Sequence, residues 1–157
     1  HRPESVDDPI KLNKLISNFE KIGKKFKTNF LFPVHPRTEK IIKKLKIKKV
    51  DFIKFTKPLI FLDFLALMKY SKIILTDSGG IQEESSLLGV PCITIRTTTE
   101  RQITVKNKSN ILTGYSFDKI LKAVDYFNNN KIKPSTVFGD GKVANKIVNI
   151  LKKIISN

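Results

Sequence analysis

The chain has 157 residues, of which 40% are hydrophobic, and carries 30 Lys and Arg against 14 Asp and Glu, a formal net charge of +16. This length fits one α/β domain, or one lobe of a larger protein, with enough apolar residues for a core. No stretch reaches the ~18 consecutive apolar residues of a membrane span, and the opening HRPESVDDP has no apolar signal region. The single Cys92 excludes an internal disulfide, so we expect a soluble protein of the reducing cytoplasm.

A strongly basic chain is typical of nucleic-acid binding, because Lys and Arg displace counterions from phosphate. Here the basic residues are almost all Lys, interleaved with apolar positions in KIGKKFK, KIIKKLKIKK and KIVNILKKI, which is typical of solvated helix faces. Arg, the better ligand for phosphates and base edges, occurs only at positions 2, 37, 96 and 101. We therefore favour a Lys-rich surface and predict no nucleic-acid partner, and we keep a basic nucleic-acid-binding module as the non-enzymatic alternative.

Predicted helices and strands alternate along the chain. In order, they are a helix capped by Asp8 and opened by Pro9, a strand at 29–35, a Lys-rich helix to 45, a strand at 50–53, a helix at 61–71, a strand at 72–77, a helix from 79 that Gly89 ends, strands at 91–95 and 110–114, and amphipathic helices at 117–127 and 141–155. The last helix has one apolar stripe, formed by Val143, Ile147, Ile150, Leu151 and Ile154.

This alternation predicts an α/β fold with a parallel sheet, helices on both faces and right-handed crossovers. Ligands of such sheets bind at the carboxyl ends of the strands. Polar groups fall at three predicted strand ends: His35, the turn at 77–80, and the loop at 96–101.

The turn stands in the stretch LTDSGGIQEESSLLGVP (75–91). Asp77 and Ser78 leave the strand, and Gly79 and Gly80 allow a sharp turn and a close approach to the backbone N–H groups of the next helix. These features predict an anion site, because the helix dipole favours a phosphate there. The motif is neither a Lys-bearing phosphate loop nor a G-x-G-x-x-G fingerprint, and a helix cap without a ligand is the alternative.

Charged residues near the turn complete this interpretation. Glu84 lies one helical turn beyond Gly80, where it would repel a phosphate but accept two hydrogen bonds from a ribose diol. Glu83 is interpreted as a structural acid that points elsewhere. Arg101 in RTTTER supplies a cation for a diphosphate, with a surface salt bridge to Glu100 as the alternative. Cys92 is interpreted as a small buried hydrophobe.

Four segments in this order, HRPESVDDP, FPVHPRT, TDSGGIQEESSLLGVPCITIR and TTTER, resemble the carboxyl-terminal half of the non-hydrolysing UDP-N-acetylglucosamine 2-epimerases of bacteria and archaea. The closing VFGDGKVANKIVNIL is similar to the final G-D-G helix of that family. The resemblance implies a glycosyltransferase-B type fold of two Rossmann-like domains, with residues 1–157 as the second domain and the first domain absent. It also implies a UDP-sugar substrate, no cofactor or metal, and a homodimeric parent.

The resemblance also implies roles for single residues. Ser78, Gly79 and Gly80 would bind the diphosphate, Glu84 the ribose and Arg101 the nucleotide, and Phe64 would lie near the uracil. His1 would be the functional His, with Arg2 beside it. His35 would lie at a site for an additional, activating UDP-N-acetylglucosamine.

The family reaction removes the C2 proton while UDP leaves from C1, and UDP then adds back after protonation from the other face. The carboxylates assigned to the proton chemistry belong to the first domain, so we expect this chain alone to bind UDP weakly and not to epimerise. The sequence departs from the family at Ser5, where Asn is usual, and at Gln102-Ile103, where Pro-Glu is commoner. A hydrolysing 2-epimerase and a glycosyltransferase lobe stay open as alternatives.

Overall fold

The computed structural model describes residues 7–45, 47 and 50–155. In chain order, the described residues form α1 (Pro9–Phe26), β1 (Phe30–Pro33), α2 (Pro36–Lys44), β2 (Ile53–Thr56), α3 (Phe61–Lys69), β3 (Ile74–Thr76), α4 (Gly79–Leu88), β4 (Cys92–Thr94), α5 (Gln102–Lys106), β5 (Asn110–Leu112), α6 (Phe117–Asn129) and α7 (Val143–Ile155).

The predicted alternation of helices and strands is confirmed, with two differences. The second strand begins at Ile53 rather than at residue 50, because the N–H groups of Asp51 and Phe52 donate to the Glu20 carboxylate on α1. The short helix α5 was not predicted, since five residues rich in β-branched side chains show no helical period.

Local capping explains where the first helix begins and where α4 ends. The Asp8 carboxylate accepts hydrogen bonds from the backbone N–H groups of Ile10 and Lys11, at 2.9 and 3.2 Å, and Pro9 fills the first helical position. Gly89 ends α4 with a φ of 70°, a conformation that glycine adopts without strain.

All strand pairs are parallel, but they form two groups rather than the single sheet predicted. β1 pairs with β2, and β3, β4 and β5 pair in that order. Among the described residues, no strand pairing joins β1 to β3. Consistent with this, β1 and β3 are only partly buried, whereas every residue of β4 is buried.

Helices cover β4 on both faces. Ile93 belongs to the apolar core, which also takes in Leu12, Leu15, Ile16, Phe19 and Ile22 of α1 and Ile120, Ala123, Val124 and Phe127 of α6. Cys92 and Thr94 point to the opposite face, because side chains alternate along a strand. There the Cys92 thiol lies beside Ser85 of α4, which places α4 on the second face.

The apolar stripe of α7 lies at the surface of the described structure. The amphipathic helix is confirmed, but Val143, Ile147, Ile150, Leu151 and Ile154 are each 50% to 66% exposed, and α7 has no buried residue. The helical period predicts the stripe without predicting what covers it. Among the described residues, no helix combines the length and the apolar character needed to cross a membrane.

Two substitutions of the same kind test this division between core and surface. Ile93→Ala removes a fully buried side chain and is expected to lower the free energy of unfolding by about 2–5 kcal/mol. Ile147→Ala changes a half-exposed residue of α7 and is expected to cost no more than about 0.5 kcal/mol. Urea denaturation of both variants measures the difference, and equal losses would show that α7 packs on this domain.

Candidate functional site

The predicted turn lies at the carboxyl end of β3 and leads directly into α4. Ser78 is the N-cap residue of α4, in an extended conformation, and its N–H donates to the Thr76 hydroxyl at 3.0 Å. The Ser78 side chain makes no capping hydrogen bond, so it leaves the first N–H groups of the helix available to another acceptor. The uncapped helix N-terminus is the feature that the sequence predicts for anion binding.

The structure corrects one of the two roles predicted for the glycines, the sharp turn. Gly79 and Gly80 are the first two residues of α4 and neither has a positive φ, so the sharp turn does not depend on their conformational freedom. A Cβ atom at Gly79 would lie 3.2–3.4 Å from three guanidinium atoms of Arg101, whereas one at Gly80 would meet only the Ser78 Oγ at 3.9 Å. Glycine at position 79 therefore makes room for a cation.

Arg101 reaches this position from the loop between β4 and α5. Its Nε donates to Glu83 Oε1 at 2.6 Å, while its Nη1 lies 3.9 Å from Glu100 Oε2. Glu100 instead accepts two hydrogen bonds from Arg96, at 3.1 and 3.2 Å. The structure thus joins the predicted turn and the predicted cation in one site, in which Arg101 binds Glu83 more closely than Glu100.

Glu84 is the second carboxylate near the turn. Partial burial, and then the negative charge of Glu83, raise the pKa of Glu84 above its ordinary value of 4.5. Its position one turn beyond Gly80 in α4 agrees with the sequence analysis.

Comparison with known proteins decides the family. The sequence model of the UDP-N-acetylglucosamine 2-epimerases matches residues 1–152. The chain belongs to the UDP-N-acetylglucosamine 2-epimerase family. It is 40% identical to the UDP-N-acetylglucosamine 2-epimerase of Methanococcus maripaludis over 155 residues, which is 96% of this chain and 42% of that protein. It is also 31% identical to the UDP-2,3-diacetamido-2,3-dideoxy-D-glucuronate 2-epimerase of Pseudomonas aeruginosa, over 98% of this chain and 43% of that protein.

A solved structure extends the comparison to three dimensions. The crystal structure of the Methanocaldococcus jannaschii UDP-GlcNAc 2-epimerase in complex with UDP-GlcNAc and UDP matches with a TM-score of 0.88 at 41% identity, over 98% of this chain and 43% of that chain. These matches confirm the predicted fold class, which is a Rossmann-like domain of the glycosyltransferase-B type. The chain corresponds to the carboxyl-terminal domain of these epimerases and spans less than half of their length.

Two other predicted residues of this epimerase domain, Phe64 and His35, lie on other elements of the fold. Phe64 is partly buried on α3, which contacts α4. His35 lies at the carboxyl end of β1, where its Nδ1 accepts a hydrogen bond from the backbone N–H of Arg37 at 3.2 Å and caps α2. His1 and Arg2 lie outside the described residues, so their predicted roles stay predictions.

The structure corrects the predicted direction of the Glu83 side chain. It points toward Arg101 rather than elsewhere. The sequence contains a signal for this direction. Glu83 follows Gly79 by four residues, just as Glu84 follows Gly80, and residues at this spacing share one helix face. Two buried side chains, Gln82 and Thr99, were also missed, because their partners are distant in sequence.

The described residues contain no group of three or more His, Cys, Asp or Glu side chains able to hold a metal ion. The Cys92 thiol is fully buried, and burial raises its pKa to about 11, although contacts with Ser85 and Thr94 act in the other direction. Cys92 is therefore a protonated core residue in this domain, as predicted.

The two glycines provide a matched test of the Arg101 contact. Gly80→Ala is expected to raise the free energy of unfolding by roughly 0.5–1 kcal/mol, because alanine favours the helix and its Cβ makes only an ordinary contact with the Ser78 Oγ, at 3.9 Å. Gly79→Ala is expected to gain less or to destabilise, because its Cβ presses against the guanidinium. Chemical denaturation compares the two variants, and equal gains would contradict the close approach of Arg101.

Proposed function

We propose that this chain is the UDP-binding half of a non-hydrolysing epimerase that interconverts UDP-N-acetylglucosamine and UDP-N-acetylmannosamine. The observation that carries this proposal is the Arg101 guanidinium packed against Gly79 at an uncapped helix N-terminus. Both groups attract anions, and a diphosphate is large enough to use the helix N–H groups and the guanidinium together. The likeness to a structure that holds UDP-GlcNAc and UDP supports the same ligand.

The proposed roles follow the position of each residue around the turn. Ser78, Gly79 and Gly80 bind the diphosphate through backbone N–H groups, and Arg101 binds it through its guanidinium. Glu84, farther along α4, accepts hydrogen bonds from the ribose hydroxyl groups. Phe64, on the neighbouring helix, contacts the uracil.

The same interactions would assist catalysis. When a base removes the C2 proton, the C1–O bond breaks, its electron pair leaves with UDP, and a double bond forms between C1 and C2 of the sugar. Negative charge then grows on the diphosphate, where Arg101 and the helix N-terminus stabilise it without rearrangement. UDP adds back at C1 after a proton reaches C2 from the opposite face. We assign His1, with Arg2, to the stabilisation of the leaving diphosphate.

A second domain of the parent protein would supply the proton chemistry. Two observations support this proposal: the relatives are more than twice as long as the chain, and the apolar stripe of α7 is exposed. We place the C2 acid and base on that domain, and the activating UDP-N-acetylglucosamine against His35 at the interface. We further propose that the parent is a cytoplasmic homodimer.

A second candidate substrate is UDP-2,3-diacetamido-2,3-dideoxy-D-glucuronate. The Pseudomonas aeruginosa relative named for this sugar aligns with 98% of this chain, and the Methanococcus maripaludis relative named for UDP-N-acetylglucosamine aligns with 96%. The two sugars share the UDP moiety, so the diphosphate site would serve either. Product analysis of the full-length protein with both substrates separates them.

Nucleotide binding by the chain tests the proposal directly. NMR titration is expected to show weak UDP binding, and Arg101→Met is expected to weaken it about ten- to a hundredfold, because charge-assisted hydrogen bonds contribute roughly 1.5–3 kcal/mol. Arg37→Met is the matched control, because Arg37, on α2, is also paired with a carboxylate, that of Asp7. The chain alone is expected not to epimerise, and a separately produced upstream half is expected to restore the reaction. Tight, salt-dependent RNA binding without UDP binding would contradict the proposal.

The raised pKa of Glu84 predicts a pH dependence of nucleoside binding. The ribose diol donates to the ionised carboxylate, so uridine affinity is expected to be full near neutral pH. On acidification, the uridine affinity should fall at a pH above 4.5, because burial and the negative charge of Glu83 raise the pKa of Glu84. Uridine has no phosphate that titrates in this range. Glu84→Gln should bind weakly at every pH, whereas Glu83→Gln should keep the fall but move it to lower pH. An unchanged pH profile in Glu84→Gln would remove Glu84 from the ribose site.

A further inference from the structure

Two buried hydroxyl groups hold the backbone of Arg101. The Thr99 Oγ1 accepts a hydrogen bond from the Arg101 N–H at 3.0 Å, and the Thr104 Oγ1 donates to the Arg101 carbonyl at 2.7 Å. Thr99 is 5% exposed and Thr104 is fully buried. The residue that carries the guanidinium is therefore fixed on both sides of its α-carbon.

Two buried amides stand behind these hydroxyl groups. The Thr99 hydroxyl donates to Gln82 Oε1 at 2.7 Å, and Asn110 Nδ2 donates to both Gln82 Oε1 and Thr104 Oγ1 at 3.1 Å. The Thr94 hydroxyl donates to Asn110 Oδ1 at 2.8 Å and completes the network. Gln82 is fully buried and Asn110 is 1% exposed. Such a network is rigid, because every broken bond would cost a buried polar group one of its partners.

Gln82 also reaches the turn at the start of α4. Its Nε2 donates to the carbonyl of Ser78, the N-cap residue, at 3.3 Å. One amide side chain therefore contacts the N-cap residue of the helix and, through Thr99, the backbone of Arg101. The two parts of the proposed diphosphate site are held in a fixed relation by groups that would not touch the ligand.

We propose that Gln82 and Asn110 are positioning residues for the diphosphate, acting through Thr99 and Thr104 on Arg101. This inference rests on the proposed function, because it assumes that Arg101 binds the departing diphosphate. A cation that is already in place needs no reorganisation when charge develops on the leaving group. Glu83 orients the guanidinium from the side-chain end, and the buried amides fix the backbone from the other end.

The Thr99 hydroxyl is the best point at which to test this network, because it links Gln82 to Arg101. Thr99→Val removes the hydroxyl at similar volume, and Thr99→Ser keeps it. Thr113→Val is the matched control, since the Thr113 hydroxyl is also buried but donates to the carbonyl groups of Thr94 and Gly114. NMR titrations with UDP and with uridine measure the two affinities for each variant, and thermal unfolding follows the stability.

Thr99→Val is expected to weaken UDP binding about fivefold and to leave uridine binding unchanged, because uridine makes no use of Arg101. Thr99→Ser is expected to restore UDP binding, and Thr113→Val to leave the ratio of the two affinities unchanged. Should Thr99→Val fail to fold, the pair Thr104→Val and Thr104→Ser gives the same comparison from the other side of Arg101.

Two results would overturn the positioning role. One is a Thr99→Val or Thr104→Val variant that binds UDP as tightly as the unsubstituted chain. The other is a parallel loss of UDP and uridine binding that follows the loss of stability, which indicates a purely structural network. A chain without substitutions that binds no UDP at all would instead refute the proposed function, so the two failures are distinguishable.

Discussion

The close approach of the Arg101 guanidinium to Gly79 is the interaction on which the site depends. It brings a cation from the loop after β4 to the N-terminus of the helix after β3, at the carboxyl edge of the sheet. Glycine favours this approach, because a Cβ atom would lie 3.2–3.4 Å from guanidinium atoms. Glu83 binds the Arg101 guanidinium and holds it in place. Because Glu83 lies one turn into α4, its side chain does not cover the N-terminus of that helix.

Strand β4 connects this contact to the stability of the fold. Its three residues are fully buried, and their side chains alternate between two environments. Ile93 enters the apolar core beneath α1 and α6, while Thr94 begins the hydrogen-bonded network that ends at the Arg101 backbone. The apolar core therefore fixes the strand, and the strand fixes the polar network. An ion pair at the surface, which would be weak alone, is supported in this way by a rigid interior.

Local sequence signals predicted the elements and the turn. The Asp8-Pro9 helix start, the Gly89 helix end and the uncapped Ser78-Gly79 start of α4 each depend on neighbouring residues, so a short stretch specifies them. The Glu83–Arg101 pair and the Gln82–Asn110 amides join residues 18 and 28 positions apart, and no local period reveals which of many polar side chains will meet. The apolar stripe of α7 was predicted for the same local reason, but a helical period does not identify the surface that covers it.

The most direct test of the account is to locate UDP on the chain by the amide and arginine side-chain signals of the ¹⁵N-labelled protein. The account predicts that UDP produces its largest shifts at the backbone N–H groups of Gly79 and Gly80 and at the Arg101 Nε, and that uridine leaves the Arg101 signal unchanged. Shifts confined to the Lys-rich faces of α1 and α2, with no change at the turn, would contradict it.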